Sequence, residues 1–220
     1  MREDACPLCG ERGPFEAVVD VRKRQHRICD RCKLIFVEDR FLPPPEEERA
    51  RYVQHQNGPW DAGYVAFLRQ VLEPALPHLN SQMRGLDYGC GHHPTLCLLL
   101  KELRLCCENY DLFFFPECPV GPFDFLFASE VVEHFHRPSV DWERMVGLLK
   151  PGGILTVMTA PWTTREEFTT WGYASDGTHV AFYRDETMDW ICGAFGLEKV
   201  ESRPPRVSVL RKRMVEALAD

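Results

Sequence analysis

The chain has 220 residues, 45% of them hydrophobic and 27% charged, enough for one sizeable core and a small appendage. A formal net charge of −7 excludes the broad basic surface that indiscriminate nucleic-acid binding rewards, but not a local basic patch. No apolar run approaches bilayer length, and Met1-Arg2-Glu3-Asp4 lacks the apolar segment of a signal peptide, so a cytoplasmic protein without a membrane partner is expected.

In that compartment ten cysteines point to thiols and metal, not disulfides. Cys6 and Cys9 are separated by two residues, as are Cys29 and Cys32, the spacing of a tetrathiolate zinc ribbon. Pro7 and Gly10 supply knuckle turn chemistry, and Phe15 to Val21 with His26 to Ile28 read as a hairpin between the pairs. Zinc closed by four thiolates has no open position, so its role is shape and folding energy. Losing one thiolate should loosen the first 40 or so residues and leave the rest folded. Cys90, Cys97, Cys106, Cys107, Cys118 and Cys192 show no second such pattern and read as small core residues. Arg22-Lys23-Arg24-Gln25-His26-Arg27, then Arg31 and Lys33, form the dense positive cluster of an acidic chain. A solvated hairpin face is the simpler reading, and a contact for a phosphorylated sugar or RNA the other.

Pro43-Pro44-Pro45 is stiff and extended, and the charged run Glu46 to Arg51 begins a short helix. From Asp61 to Leu72, Tyr64, Phe67, Leu68, Val71 and Leu72 fall at helical spacing, the mark of an amphipathic helix that Pro74 and Pro77 interrupt.

Hydrophobic residues then lead into Asp87-Tyr88-Gly89-Cys90-Gly91, where a buried strand ends and two glycines permit a tight turn and close approach of a ligand to the backbone. The place of a third glycine, expected in a pyrophosphate cradle, holds Pro94. Thr95 to Leu103 reads as a helix. Twenty residues past Gly91, Asp111 ends the short strand Leu105 to Tyr110, where a carboxylate can accept both hydroxyls of a ribose. Only about a dozen residues separate Asp111 from the buried strand Phe123 to Ala128, so a third strand is vestigial or absent, and Phe113-Phe114-Phe115 either cover a base or are plain core. Ser129-Glu130-Val131-Val132-Glu133-His134-Phe135 follows as a helix start. The helix Val140 to Leu149 packs Trp142, Met145, Val146 and Leu149 inward, and a Pro-Gly-Gly turn leads into the strand Ile154 to Met158. Asp185 caps a helix reaching Phe195, and Leu197 to Glu201 with Val207 to Arg211 close the sheet.

These segments, in this order, resemble the class I S-adenosylmethionine methyltransferases, whose first motif is a hydrophobic residue and Asp-x-Gly-x-Gly. More closely, the chain is similar to a bacterial group of such enzymes that carries a zinc ribbon. The resemblance rests on the Cys-Pro-x-Cys-Gly start at Cys6, His55-Gln56-Asn57, Gly89 to Pro94, Tyr110 to Phe115, Glu130 to His134 and Asp176-Gly177-Thr178-His179. It implies an α/β fold, a Rossmann-like class I methyltransferase sheet with helices on both faces, preceded by a small zinc ribbon of four cysteines. The parts would be a ribbon (1–40), a linker and amphipathic helix (41–80) and a methyltransferase domain (81–220). It also implies S-adenosylmethionine as cofactor, held by Asp87, Gly89, Cys90, Gly91, Asp111, Leu112, Phe113, Ser129 and Glu130. One departure is His92-His93 in place of the small Pro-Gly pair usual in the group, whose bulk either narrows the cofactor pocket or points outward.

Because the sulfonium carries the difficult chemistry, the protein has to align an acceptor and remove a proton. The expected catalytic groups are Glu130 and His134, on one face of a helical turn with Glu133, together with His179 from a later loop. Glu130, Glu133, His134 and His179 also resemble the divalent-metal site of some O-methyltransferases, though Glu-Val-x-Glu-His occurs in metal-free relatives as well. His55, Asn57, Trp171 and Tyr173 are the expected acceptor contacts, the aromatics acting as an apolar lid. The function expected is O-methylation of a small metabolite or sugar. The alternatives are RNA methylation with the ribbon as recognition module, and a non-catalytic scaffold of the same fold.

Overall fold

In the computed structural model, which describes residues 5–54, 57–203 and 206–214, the cysteine pairs sit on matching knuckles. The Gly10 N–H donates to the Cys6 carbonyl at 3.0 Å and the Lys33 N–H to the Cys29 carbonyl at 2.8 Å. Each turn needs a left-handed residue, supplied by Gly10 at φ 71° and Lys33 at φ 58°. Between them β1 (Glu16–Val19) and β2 (Gln25–Ile28) form the expected hairpin, and β3 (Ile35–Val37) adds antiparallel to β2.

The bridge contains α1 (Pro45–Val53), with proline at its first position where a missing N–H leaves no bond unmade. In α2 (Ala62–Leu72) the Asp61 carboxylate caps the N–H groups of Gly63 and Tyr64. This helix buries Leu68, Val71 and Leu72, each contributing about 1.5–3 kcal/mol of transfer free energy.

The rest alternates strand and helix: β4 (Arg84–Tyr88), α3 (Thr95–Glu102), β5 (Cys106–Tyr110), β6 (Phe123–Ser129), α4 (Pro138–Gly147), β7 (Leu149–Met158), the short α5 (Arg165–Phe168), β8 (Ala181–Phe182), α6 (Asp185–Ala194), β9 (Leu197–Arg203) and β10 (Val207–Lys212). Six strands make one sheet in the order β5-β4-β6-β7-β10-β9. The first four are parallel, and β10 runs antiparallel to both neighbours. The expected gap is real: between Asp111 and Phe123 the described chain makes only an isolated Asp111–Phe115 bridge. Strand order reverses at β4, with β5 on one side and β6 on the other, the switch point where open α/β sheets bind ligands.

Alternation along the strands separates two cores. Leu126 and Ala128 of β6, with Leu155 and Val157 of β7, pack under α4 and α6 through Trp142, Met145, Met188 and Ile191. Phe125, Phe127, Ile154 and Met158 face the other way onto Leu68 and Val71 of α2 and Leu96 and Leu100 of α3. Helices cover both faces, as expected.

Four local readings change. Pro151-Gly152-Gly153 is a bulge inside β7, not a free turn: pairing with β6 jumps from Phe123–Leu149 to Phe125–Ile154, and Gly152 at φ 77° absorbs the excess. Arg184, not Asp185, holds the N-cap position of α6, because the chain is already helical at Asp185. Cys106 is exposed, since β5 is an edge strand, and Cys107 and Cys118 are only half-buried. The ribbon is also no separate appendage. Strand β3 pairs with β8 (Ile35–Phe182, Phe36–Ala181), and Cys6, Leu8, Cys29 and Cys32 share a core with Trp142 and Tyr183. Among the described residues no helix is long and apolar enough to cross a membrane.

Candidate active site

A cavity of about 960 Å³ opens where β4, β5 and β6 end, large enough for a drug-sized ligand with room to spare. One lobe is built by the glycine turn. The N–H groups of Gly89 and Cys90 both donate to the Tyr110 carbonyl, at 2.7 and 3.1 Å, which folds the turn over β5. Gly89 (φ 81°) and Gly91 (φ 68°) are left-handed. A Cβ on Gly89 would lie 2.5 Å from Val131 Cγ2, whereas one on Gly91 would meet nothing within 4 Å. The first glycine therefore serves packing, and the second leaves bare backbone beside open space.

Asp111 stands over this turn. Its Oδ2 accepts the Gly91 N–H at 3.0 Å, and its Oδ1 accepts those of Phe113 and Phe114 at 2.9 and 3.1 Å. Three backbone donors fix the carboxylate's orientation, and Oδ2, with a single donor, keeps a lone pair for a ligand hydroxyl. Leu112, Phe113, Ser129, Glu130 and Cys90 also line the cavity, as expected. Asp87 does not: it lies buried behind the turn, where desolvation and then the Asp111 charge push its pKa up to about 7. His92 and His93 neither fill the pocket nor leave it. Both line its wall, with the His92 ring against Phe114 (5.1 Å between centroids) and the His93 ring against Trp60 (4.7 Å).

On another side the cavity is lined by Arg51, Tyr52, His134, Asp176 and His179, and Asn57 lines it too. The two imidazole centroids are 4.8 Å apart. His134 Nδ1 is 2.9 Å from the Thr178 carbonyl and His179 Nδ1 is 2.7 Å from the Tyr173 carbonyl. A carbonyl can only accept, so in the neutral ring both Nδ1 atoms carry the proton and both Nε2 atoms are in acceptor form. Burial lowers the pKa of His179 to about 4 and keeps it neutral. Tyr52 packs edge-on to His134 and tilted against Phe113, at 5.2 and 5.5 Å.

Glu130, Glu133 and His134 do not share a helical face. Glu130 is left-handed at φ 54° and precedes the turn, and Val132–His134 is a single 3-10 turn. Glu130 and His134 consequently line the cavity, while Glu133 points inward and is fully buried. The Glu133 carboxyl bonds the Tyr173 hydroxyl and, at 2.9 Å, the Thr159 hydroxyl. Desolvation, with the nearby Glu130 charge, pushes its pKa up to about 8, so it holds a proton at neutral pH. Glu130 makes a loose ion pair with Arg206 at 3.6 Å, and burial raises its pKa as well.

Trp171 and Tyr173, expected at the acceptor, sit outside the cavity lining and pack with Phe182. The Tyr173 hydroxyl has its partner in Glu133, so the pair forms the floor behind His179, not a lid. His55 lies outside the described residues. Sequence reasoning missed Arg51 and Tyr52, hidden in a charged helix, and took Tyr64 and Phe67 for packing residues although both reach the cavity.

Two clusters have donor sets suited to metal. The four ribbon sulfurs lie within 4.8 Å of one another, with Cys6–Cys32 at 3.6 Å and Cys9–Cys29 at 3.5 Å. Ligands around a tetrahedral zinc with bonds of about 2.3 Å stand about 3.8 Å apart, so the thiols fit that ion. Glu133, His134 and His179 offer donor atoms within 4.8 Å as well, with the carboxyl of that set also held by the hydroxyls of Tyr173 and Thr159.

Residues 60–202 match the family model described as a methyltransferase domain. No curated protein matches the chain. Among solved structures, the Burkholderia thailandensis 1,6-didemethyltoxoflavin-N1-methyltransferase, solved with 1,6-didemethyltoxoflavin and S-adenosylhomocysteine, aligns at 15% identity over 90% of this chain and 99% of its own, with a TM-score of 0.50. A SAM-dependent methyltransferase from Archaeoglobus fulgidus aligns at 16% identity over 67% of this chain and 94% of its own, with a TM-score of 0.51. At such identities these structures speak to the fold alone. The family match covers most of the chain and spans the glycine turn, Asp111 and both imidazoles, so the chain belongs to the methyltransferase-domain family and is a class I S-adenosylmethionine-dependent methyltransferase.

Proposed function

We propose that the protein, a cytoplasmic member of the bacterial group with a zinc ribbon, methylates an oxygen of a small metabolite or sugar. Two imidazoles side by side in the second lobe, each with Nδ1 on a backbone carbonyl so that Nε2 is the acceptor of the neutral ring, carry this reading. When bound, S-adenosylmethionine supplies an electrophilic methyl on a sulfonium. The bare backbone at Gly91 and the oriented carboxylate of Asp111 suit its nucleoside, and Glu130, Cys90 and Ser129 line the way to the acceptor lobe. The Nε2 of one of the two rings, His134 or His179, would accept the hydrogen bond of the acceptor hydroxyl, turn its lone pair toward the cofactor lobe and receive its proton as the oxygen is alkylated. The ribbon would hold zinc through Cys6, Cys9, Cys29 and Cys32 as a structural element. A small acceptor is favoured over RNA because the ribbon's positive charges are largely used internally: Arg27 pairs with Glu38, Arg31 with Glu11, Lys33 with Asp30, and Arg24 with Asp20.

The test is mass spectrometry of a metabolite extract incubated with the protein and a labelled methyl donor. An O-methyl product supports the reading. An N- or C-methyl product overturns the oxygen assignment, and no heat with S-adenosylhomocysteine in calorimetry favours a non-catalytic scaffold. The cluster of Glu133, His134 and His179 supports a second reading, in which these residues hold a divalent metal that acidifies a coordinated hydroxyl. Activity retained after exhaustive chelation would remove it.

A further inference from the structure

We propose that Arg24, on the ribbon's hairpin turn, is a positioning residue of the acceptor lobe: it gathers the loop whose carbonyls set the tautomers of His134 and His179. This rests on the reading of those imidazoles as the acceptor-facing groups. The guanidinium Nη1 donates to the Gly177 carbonyl at 2.8 Å, and Nη2 stands 3.1, 3.1 and 2.8 Å from the carbonyls of Ala174, Asp176 and His179. Nε donates to Asp20 Oδ2 at 3.1 Å. Asp20 is itself 1% exposed, and its other oxygen accepts the N–H groups of Arg22 and Arg24 at 2.8 and 2.9 Å, so the clamp is fixed from behind.

Two other carbonyls of the same loop serve the site. That of Tyr173 accepts His179 Nδ1 and that of Thr178 accepts His134 Nδ1. Four carbonyls thus turn inward onto one cation from the ribbon, and the two between or beside them are left facing the imidazoles. Other ties hold the loop as well: Arg51 bonds the Asp176 carboxylate at 2.9 and 2.8 Å, that carboxylate accepts the Thr178 N–H and hydroxyl, and Val180 bonds the Glu133 carbonyl and the Val37 N–H. Of the carbonyls that Arg24 holds, only that of Asp176 has a second donor among the described residues, the His179 N–H at 3.2 Å. Arginine alone presents five N–H donors spread in a plane toward four converging carbonyls and a carboxylate, with the two Nη2 hydrogens shared among three carbonyls, whereas lysine has three donors from a single point. Without the cation, converging carbonyls repel one another and rotate away, releasing the tautomer lock.

The experiment uses the full chain, labelled with nitrogen-enriched histidine, as wild type, Arg24→Met, Arg24→Lys and the exposed control Arg22→Ala, with cooperative thermal unfolding as the check on folding. In folded Arg24→Met, His134 and His179 should lose the Nδ1–H signature in long-range nitrogen–proton spectra. Amide exchange across residues 173–180 should accelerate at least about tenfold, the scale of a lost charge-assisted hydrogen bond. Arg24→Lys should fall between, and Arg22→Ala should match wild type. Folded Arg24→Met with both signatures and wild-type exchange would overturn the proposal. If Arg24→Met does not fold, Arg24→Lys decides: partial loss supports the clamp, and a wild-type result overturns it. These readouts need no acceptor, so a protein that gives no heat with S-adenosylhomocysteine would sink the methyl-transfer reading while leaving the clamp separately scored.

Discussion

Glu133 puts a carboxyl group where a charge is costly, and the protein answers by leaving it protonated between two hydroxyls. Glu133→Gln is therefore expected to change stability by less than about 1 kcal/mol, and Glu133→Ala to cost about 2–4 kcal/mol through the cavity and the orphaned hydroxyls. The two variants are compared by chemical denaturation. If the metal reading held, Glu133→Gln would instead abolish metal binding by calorimetry. His26 makes the opposite use of burial. Its ring is fully buried between Phe168 and Phe182, and desolvation lowers its pKa to about 4. The unfolded chain takes up that proton below its ordinary pKa of about 6.5 and the native chain does not, so stability is lost as pH falls from about 6.5 through 4, by at most about 3 kcal/mol. His179 adds to the same acid limb. For Asp87 and Glu133 the raised values give the reverse sign: their contribution is present below about pH 4 and lost as pH rises through about 7 and 8. Between about pH 4 and 6.5 the two signs oppose one another, so denaturant midpoints measured from pH 4 to 9 should stay nearly level up to about 6.5 and then fall toward pH 8, and His26→Phe should make the fall begin at lower pH. Asp111→Ala is expected to weaken S-adenosylhomocysteine binding by about 1–3 kcal/mol in calorimetry, because a charged acceptor is lost.

At the level of elements, the two knuckles show how one backbone shape is met by different residues. Gly10 adopts the left-handed conformation without a Cβ penalty, whereas Lys33 takes it at a cost of about 1–2 kcal/mol. Lys33→Gly is expected to raise the thermal midpoint by a few degrees, since its exposed side chain makes only a surface ion pair with Asp30. The same conformation at Glu130 is what a helical reading of Glu130 to His134 overlooked. A left-handed residue at a strand's end sends its own carboxylate into the cavity and the next acidic residue into the core. Type and spacing were legible there, but facing was not, because the Glu133 carbonyl takes its donor, the Val180 N–H, from a segment distant in sequence.

For the whole molecule, the ribbon's place in the main core changes what metal loss should do. Cys6, Leu8, Cys29 and Cys32 pack in one cluster with Trp142 of α4 and Met188 and Ile191 of α6, and the Ser139 N–H donates to the Pro7 carbonyl. Cys9→Ser, which removes one of the four sulfurs proposed to hold zinc, is expected to lower the stability of the entire chain in a single calorimetric transition, not to loosen the first 40 or so residues alone. Two separate transitions would show that the shared core does not couple them. The succession of strands along the chain was readable, down to the missing strand after Asp111, because strand length and the glycine turn are local properties; their order in the sheet came from the tertiary structure.

What the sequence determined by itself were the features written in short-range chemistry: the four cysteines at knuckle spacing, the strand that stops at two glycines, Asp111 on the neighbouring strand, and the alternation of buried strand and helix. What only the tertiary structure decided were contacts closed over long separations, where no spacing rule applies. Among these are Arg24 gripping a loop about 150 residues away, β3 pairing with β8, and Tyr173 turned onto Glu133 and away from the acceptor. A carbonyl or a carboxylate takes whichever donor the fold brings to it, and the chain alone does not name that donor.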